Sequence, residues 1–353
     1  MKSIIKRTIW TAALCFSTGV TTVFAGNTAD ITFGSTLKNV KKNGALNCSG
    51  HNGSFPGFAE LDNQGKWKGF DVELCKALAT AIFGDYKEHL NIKPTSWAQR
   101  WPSLKSGELD VIIKVTGWTM GRDTDIGLQF SRVYMMLPSN YMVHKSSGVT
   151  KPEDLDGGTL CVQSGTTYER YAADYSSAHG YEMKVVPFEK TEDAKAAYES
   201  GRCDAYIGTN VELGVIRATE LKNPEEHLIL PQPLAAEPIA MAVRQGDDNW
   251  IDIANWLLSV LVMAEENGVT SANVDQMKSN PPTPAVAKML GVTPGIGSRL
   301  GLSDDWAYQV IKRVGNYSEI YEQSLGKQSP YKLDRGINAL VKDSGILYSL
   351  VMD

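Results

Sequence analysis

The residues best suited to chemistry gather where an apolar run gives way to small polar groups. Val111-Ile112-Ile113 reads as a short buried strand, followed by Lys114, Thr116, Gly117, Trp118 and then Arg122-Asp123-Thr124. A strand that ends in hydroxyls, a glycine and cations places hydrogen-bond donors at its carboxyl edge, where open α/β sheets bind ligands. Arg122 is the natural anchor, because a planar guanidinium grips a carboxylate through two parallel bonds and keeps its charge. The plainer alternative is a surface arginine paired with Asp123 or Asp125, a contact of little energetic weight. A second polar turn, Gln163-Ser164-Gly165-Thr166-Thr167, leads into a helical stretch. Its hydroxyls and free N–H groups suit an anion, although plain capping by Thr166 or Thr167 explains them equally well. A third, Gly-rich turn runs over residues 49–58 and carries His51; a lone histidine there reads more readily as a structural residue.

Strands and helices alternate around these turns. Asp71 is expected to cap a helix over 72–83, where Leu74, Leu78, Ala81 and Ile82 recur at helical spacing before Gly84. A strand at 90–94, a helix at 97–105 stopped by Ser106-Gly107, and the strand at 111–113 follow; 141–144 reads as another short strand. From Pro152 the plan repeats: strand 159–162, helix 168–178, strand 183–186, helix 192–200, strand 204–208. Ser106-Gly107-Glu108-Leu109-Asp110 in the first half answers Ser200-Gly201-Arg202-Cys203-Asp204 in the second. Alternation of this kind marks a mixed, mostly parallel sheet, and two copies of one α/β plan facing each other make a cleft. A strand at 237–243 returns the chain to the first half, and an amphipathic helix at 250–266 opens a helical tail.

Composition narrows the class. Lys2, Lys6 and Arg7, an apolar stretch from Ile9 to Phe16, and Val23-Phe24-Ala25 together read as a signal peptide over residues 1–25. The net charge of −5 with interspersed signs argues against a nucleic-acid binder. Cys48, Cys75, Cys161 and Cys203 remain after that leader, an even number in an oxidising compartment, and spacing alone leaves all three pairings open. No Ser/His/Asp set, metal cluster or cofactor loop points to an enzyme, a metal or a cofactor.

In this order the sequence resembles the periplasmic substrate-binding proteins of polar amino-acid ABC importers, in the branch of the general L-amino-acid transporters. The resemblance rests on Gly69-Phe70-Asp71-Val72, Trp118-Thr119 with Arg122-Asp123-Thr124, Val162-Gln163 before Gly165-Thr166-Thr167, Gly201-Arg202-Cys203-Asp204, Ala242-Val243-Arg244-Gln245-Gly246-Asp247-Asp248, Ser271-Ala272-Asn273-Val274-Asp275, and Asp305-Trp306-Ala307-Tyr308 before Gly315-Asn316-Tyr317. It implies a two-lobe α/β binding protein of the type II plan with a helical C-terminal extension. One lobe would comprise residues 36–142 with 239–353, the other 145–237. With the cysteines so divided, Cys48–Cys75 and Cys161–Cys203 are favoured.

The resemblance further implies a monomeric periplasmic binder in a Gram-negative cell, which takes a small carboxylate and delivers it to an inner-membrane permease. Arg122 would hold the ligand's α-carboxylate, assisted by Thr116, Gly117, Thr166 and Thr167. Arg100 and Lys114 fall where such proteins approach the cleft, and Trp97 and Trp118 are candidates to pack on ligand carbon. Two departures matter. The run Val115-Thr116-Gly117 lacks an amide and a hydroxyl usual in the branch, and Thr209 stands where an Asp would hold the α-ammonium. A hydroxyl cannot neutralise a buried ammonium. Either a nearby acid such as Glu212 substitutes, or the ligand is a carboxylate or di-anion without that ammonium. A periplasmic dehydratase of the same fold, with Glu60, Glu212 or His51 as its acid, and a receptor-docking sensor are the remaining function classes.

Overall fold

The structure is a computed structural model that describes residues 34–52 and 55–353. The leader read at 1–25, and Gly53 and Ser54 of the Gly-rich turn, lie outside those residues. In chain order the strands and α-helices are α1 (Ser35–Asn43), β1 (Leu46–His51), β2 (Glu60–Leu61), β3 (Trp67–Lys68), α2 (Phe70–Phe83), β4 (Leu90–Thr95), α3 (Arg100–Ser106), α4 (Met120–Thr124), β5 (Leu128–His144), β6 (Thr159–Gln163), α5 (Tyr168–His179), β7 (Lys184–Phe188), α6 (Thr191–Glu199), β8 (Ala205–Thr209), α7 (Asn210–Thr219), β9 (His227–Ile229), β10 (Ala235–Arg244), α8 (Asp248–Glu266), α9 (Val274–Ser279), α10 (Pro284–Met289), α11 (Trp306–Arg313) and α12 (Tyr317–Ser324).

Strand β1 pairs in parallel with β4. Val111 and Ile112 then bridge β1 to β10, the one through Cys48 and the other through Ala242, so the expected strand at 111–113 is reduced to single bridges. Beyond β10 the sheet continues β5, β8, β6, β7, with β9 also on β5. The β6–β7 and β6–β8 pairs are parallel, and β5 is antiparallel to β8, β9 and β10. The sheet is therefore mixed, with helices on its faces. What reads as a short strand at 141–144 is the end of the 17-residue β5. Its outer part carries Ser131, Arg132, Pro138 and Asn140, which interrupt the apolar pattern that marks a strand.

Apolar burial falls into distinct cores. The largest joins residues before 138 to residues after 238, through Phe70, Leu78, Trp250, Leu257, Trp306 and Tyr317, and the tail closes over it with Leu340, Leu347 and Met352. Tyr141, Val143, Leu160, Val162 and Ile207 form a second core, and Met142, Cys161, Tyr206 and Leu213 a third. The alternation of Tyr141, Met142 and Val143 between these two shows a strand buried on both faces. Cys48 is joined to Cys75, tying β1 to α2, and Cys161 to Cys203, tying β6 to the turn before β8.

Asp71 is not the cap of α2. Gly69 holds that place, and Asp71 lies inside the first turn as a buried carboxylate. Its Oδ2 accepts from the Val115 backbone N–H at 3.0 Å and its Oδ1 from the Tyr134 hydroxyl at 3.0 Å. Those bonds pin Val115, a β-branched residue with φ 37°, in the left-handed region. The chain therefore turns sharply between Lys114 and Thr116, at the head of the candidate site.

Candidate functional site

Three cations stack with two indoles along one wall. Lys114 Nζ lies 4.7 Å from the centre of the Trp97 ring, with the Arg100 guanidinium 4.7 Å from the same ring. Arg100 also lies 4.0 Å from Trp101, and Arg122 5.1 Å from Trp101. Arg100 and Lys114 are 1% exposed and Arg122 8%. Among the described residues none of the three has a carboxylate within 4.0 Å. Lys114 donates to the Gly50 carbonyl at 3.2 Å and Arg122 Nη1 to the Gly117 carbonyl at 2.7 Å. Nε and Nη1 of Arg100 find no partner among the described residues. Burial, then repulsion from Arg122, pulls the Arg100 guanidinium well below its ordinary range. Burial, then Arg100, does the same to Lys114. Aromatic faces favour cations but do not neutralise them, and a buried charge without a counter-charge is costly. The wall therefore carries positive charge that no carboxylate within 4.0 Å balances among the described residues.

Glu237, on β10, faces Arg122 from across this region. It is 3% exposed, and the Thr167 hydroxyl donates to it. The Tyr171 hydroxyl also reaches it. Burial raises the Glu237 carboxyl, and Arg122, the first of the groups that oppose this, draws it back down. Thr166 turns its hydroxyl to the Gln163 carbonyl at 2.6 Å, and Glu169 accepts from the Gly165 N–H at 2.8 Å. A pocket of about 350 Å³ lies between Arg122, Thr119 and Asp125 on one side and Gly165, Thr166, Thr167 and Arg170 on the other.

The remaining expected site residues are placed as follows. Thr116 is buried, and its hydroxyl donates to the Lys114 carbonyl at 2.9 Å. Trp118 stands apart, 40% exposed, stacked 5.7 Å from Phe130 and donating to Asp123 at 2.9 Å. Thr209 is buried as the N-cap of α7 and accepts from the Glu212 N–H at 3.1 Å. Glu212 returns its carboxylate to the Thr209 N–H at 3.3 Å and accepts from the hydroxyls of Tyr168 and Tyr206. Burial pushes it up to about 7. His51 stacks on Phe55 at 4.7 Å, and burial, then Lys114, holds its pKa well below the usual imidazole range. It is a neutral wall residue, and its 3.7 Å approach to Asp71 is no ion pair.

Glu237, Trp101 and Tyr171 were not singled out from the sequence. A signal existed for Glu237, the sole charge in the otherwise apolar run 237–243.

A mixed sheet, separate apolar cores and a pocket between two polar turns, with Arg122 on one side and Arg170 on the other, are the features of a small-solute binding fold. The chain belongs to the bacterial extracellular solute-binding proteins, family 3, whose model matches residues 49–267. It is 46% identical over 316 residues to the general L-amino acid-binding periplasmic protein AapJ of Rhizobium johnstonii, covering 89% of this chain and 92% of that one. It is 39% identical to the putative amino-acid ABC transporter-binding protein YhdW of Escherichia coli K12, covering 90% and 92%. It is also similar to a solved ABC transporter periplasmic binding protein from Brucella ovis with glutathione bound. That likeness has a TM-score of 0.85 and 42% identity, over 90% of this chain and 98% of the other.

Proposed function

We propose that this chain is the periplasmic solute-binding component of an ABC importer and that it captures an amino acid for delivery to the permease. The observation that carries the reading is Arg122, buried with no carboxylate within 4.0 Å among the described residues and held by the Gly117 carbonyl opposite the turn at Thr166 and Thr167. The names of AapJ and YhdW support an amino acid over a carboxylate lacking the ammonium. Both are named as binding proteins, which supports binding over dehydration.

In this reading residues 36–142 with 239–353 form one lobe and 145–237 the other. The α-carboxylate pairs with Arg122, supported by Thr116, Gly117, Thr166 and Thr167, while Lys114 and Arg100 set the potential of the wall and Thr209 shapes the floor. The ligand touches both lobes only when they are shut, so its binding energy draws the pair toward closure. Strands β5 and β10 run between the lobes, and the register shifts of β10 at Ile239, Ala240 and Ala242 provide pliable points along it.

Calorimetry of the exported chain against the twenty L-amino acids tests this. At least one is expected to bind, and Arg122→Ala is expected to weaken it by about 2–5 kcal/mol, the cost of removing one partner of a desolvated charge pair. Retained affinity in Arg122→Ala, or binding of none of the twenty, would refute the reading.

A further inference from the structure

Resting on the amino-acid reading of this site, we propose that Glu237 is the acid that receives the ligand's ammonium group. An α-amino acid carries its two charges on one carbon, so a site that reads both needs a cation and an anion side by side. Gly117 brings such a pair together. Its carbonyl accepts from Arg122 Nη1 at 2.7 Å. A methyl group on its α-carbon would lie 2.8 Å from Glu237 Oε2 and 3.3 Å from that same Nη1.

Elimination points the same way. Asp71 is committed to Val115 and Tyr134. Glu212 is committed to the Thr209 N–H and two tyrosines. Of the other buried carboxylates among the described residues, Asp110 faces Arg244, and Asp247 caps α8 and accepts from Thr36. Thr209 offers only a neutral hydroxyl, already engaged in its cap. Among these buried carboxylates Glu237 is the one that lies beside Gly117 and the Arg122 head group; Asp125, which lines the Arg122 pocket, is exposed and accepts from the Thr124 hydroxyl. Its contacts with Thr167 and Tyr171 are hydroxyl donors to a group with about four acceptor positions. They orient the carboxylate and leave it capacity for an ammonium.

The test uses calorimetry on the exported chain with three pairs that differ only by ammonium against hydroxyl: L-alanine and L-lactate, L-glutamate and L-2-hydroxyglutarate, L-leucine and L-2-hydroxyisocaproate. The unaltered protein is expected to bind at least one of these amino acids about tenfold or more tighter than its hydroxy partner. Glu237→Gln is expected to remove that preference, with a loss of about tenfold or more for the amino acid and less than about threefold for the hydroxy acid. Equal losses for both members would mean that Glu237 only supports Thr167 and Arg122; that result overturns the proposal, as does an unchanged amino-acid affinity. Should the glutamine variant fail to fold, Glu237→Asp decides: the shortened carboxylate must alter amino-acid affinity more than hydroxy-acid affinity, and an equal change overturns the proposal. If the unaltered protein binds hydroxy acids as tightly as amino acids, the ammonium assignment falls while carboxylate binding at Arg122 stands. If it binds no member of these pairs, the same comparison is made between whichever of the twenty L-amino acids it binds and that acid's 2-hydroxy analogue; if it binds none of the twenty, both fall.

Discussion

Arg122 donates to the carbonyl of Gly117, five residues before it, at 2.7 Å. The guanidinium is thereby held by the turn that leads into its own helix, with Thr119 as the N-cap of α4 accepting from the Arg122 N–H. One short segment fixes both the backbone and the head group of the arginine. That is the preorganisation a carboxylate receptor needs, because a pre-placed donor costs less to order when the ligand arrives.

Gly117 should therefore tolerate no side chain. Its φ is not positive, so alanine fits the backbone, but the added methyl would press on Glu237 Oε2 at 2.8 Å and Arg122 Nη1 at 3.3 Å. Gly117→Ala is expected to weaken amino-acid binding about tenfold or more while lowering stability by less than about 2 kcal/mol. Calorimetry with a urea melt on the same sample checks both, and intact affinity would show that the two head groups do not form the site.

Glu212 makes the pH prediction. Burial raises its carboxyl from 4.5 to about 7, so the folded state favours the protonated form. The stability this contributes is complete below about pH 4.5 and is lost as the pH rises through about 7. Glutamine keeps the capping box with Thr209 and does not titrate. The stability of the unaltered protein relative to Glu212→Gln should thus fall by on the order of 3 kcal/mol between pH 4.5 and 7.5. Asp71, also raised to about 7, titrates in both proteins and largely cancels in the difference. A flat difference profile would contradict the assignment. Amino-acid affinity should stay within about threefold, because this carboxylate serves α7 and two tyrosines rather than the ligand.

Much of the architecture is legible in the residues. Leu74, Leu78 and Ile82 announce α2 by their spacing, and Gly84 ends it. The polar turns at 116–122 and 163–167 converge on one pocket, the second from the end of β6 and the first from the segment that Val111 and Ile112 bridge to the sheet. Legibility fails where tertiary contacts decide. Asp71 looks like a cap because acids favour helix starts, yet its partners Val115 and Tyr134 lie 44 and 63 residues away. Glu237 is hidden for the same reason: its burial depends on Thr167, 70 residues earlier, and on the glycine at 117. Trp118 is a third case. An indole beside a binding arginine looks like a ligand platform, and its stacking on Phe130 and its bond to Asp123, which leave it 40% exposed, are not visible in the sequence.

The second disulfide should matter for stability more than for binding. Cys161 and Cys203 are separated by 42 residues, and a closed loop of that length restricts the unfolded chain by about 4 kcal/mol in the chain-entropy account. The paired change Cys161→Ala with Cys203→Ala is expected to lower the unfolding free energy by about that amount while leaving the ligand's dissociation constant within about threefold. A urea titration against the unaltered protein reads the first and calorimetry the second. No change in the urea midpoint would show that the bridge does not hold β6 and β8 together in solution.

Gly165 offers a backbone test of the proposed closure. Its φ is 75°, and a β-carbon there would stand 3.0 Å from the Ala98 backbone nitrogen, on the segment that leads into Arg100. Gly165→Ala therefore meets two separate penalties: about 1–2 kcal/mol for an L-residue in the left-handed region, and a steric contact that arises only when the turn approaches residue 98. The first lowers stability with or without ligand; under the proposed closure the second would act on the closed state alone. The variant is expected to lose more affinity than stability, and in solution scattering with saturating amino acid its radius of gyration should remain above that of the liganded unaltered protein. Equal radii at saturation, with affinity unchanged, would mean that residues 165 and 98 do not set how far the two halves approach.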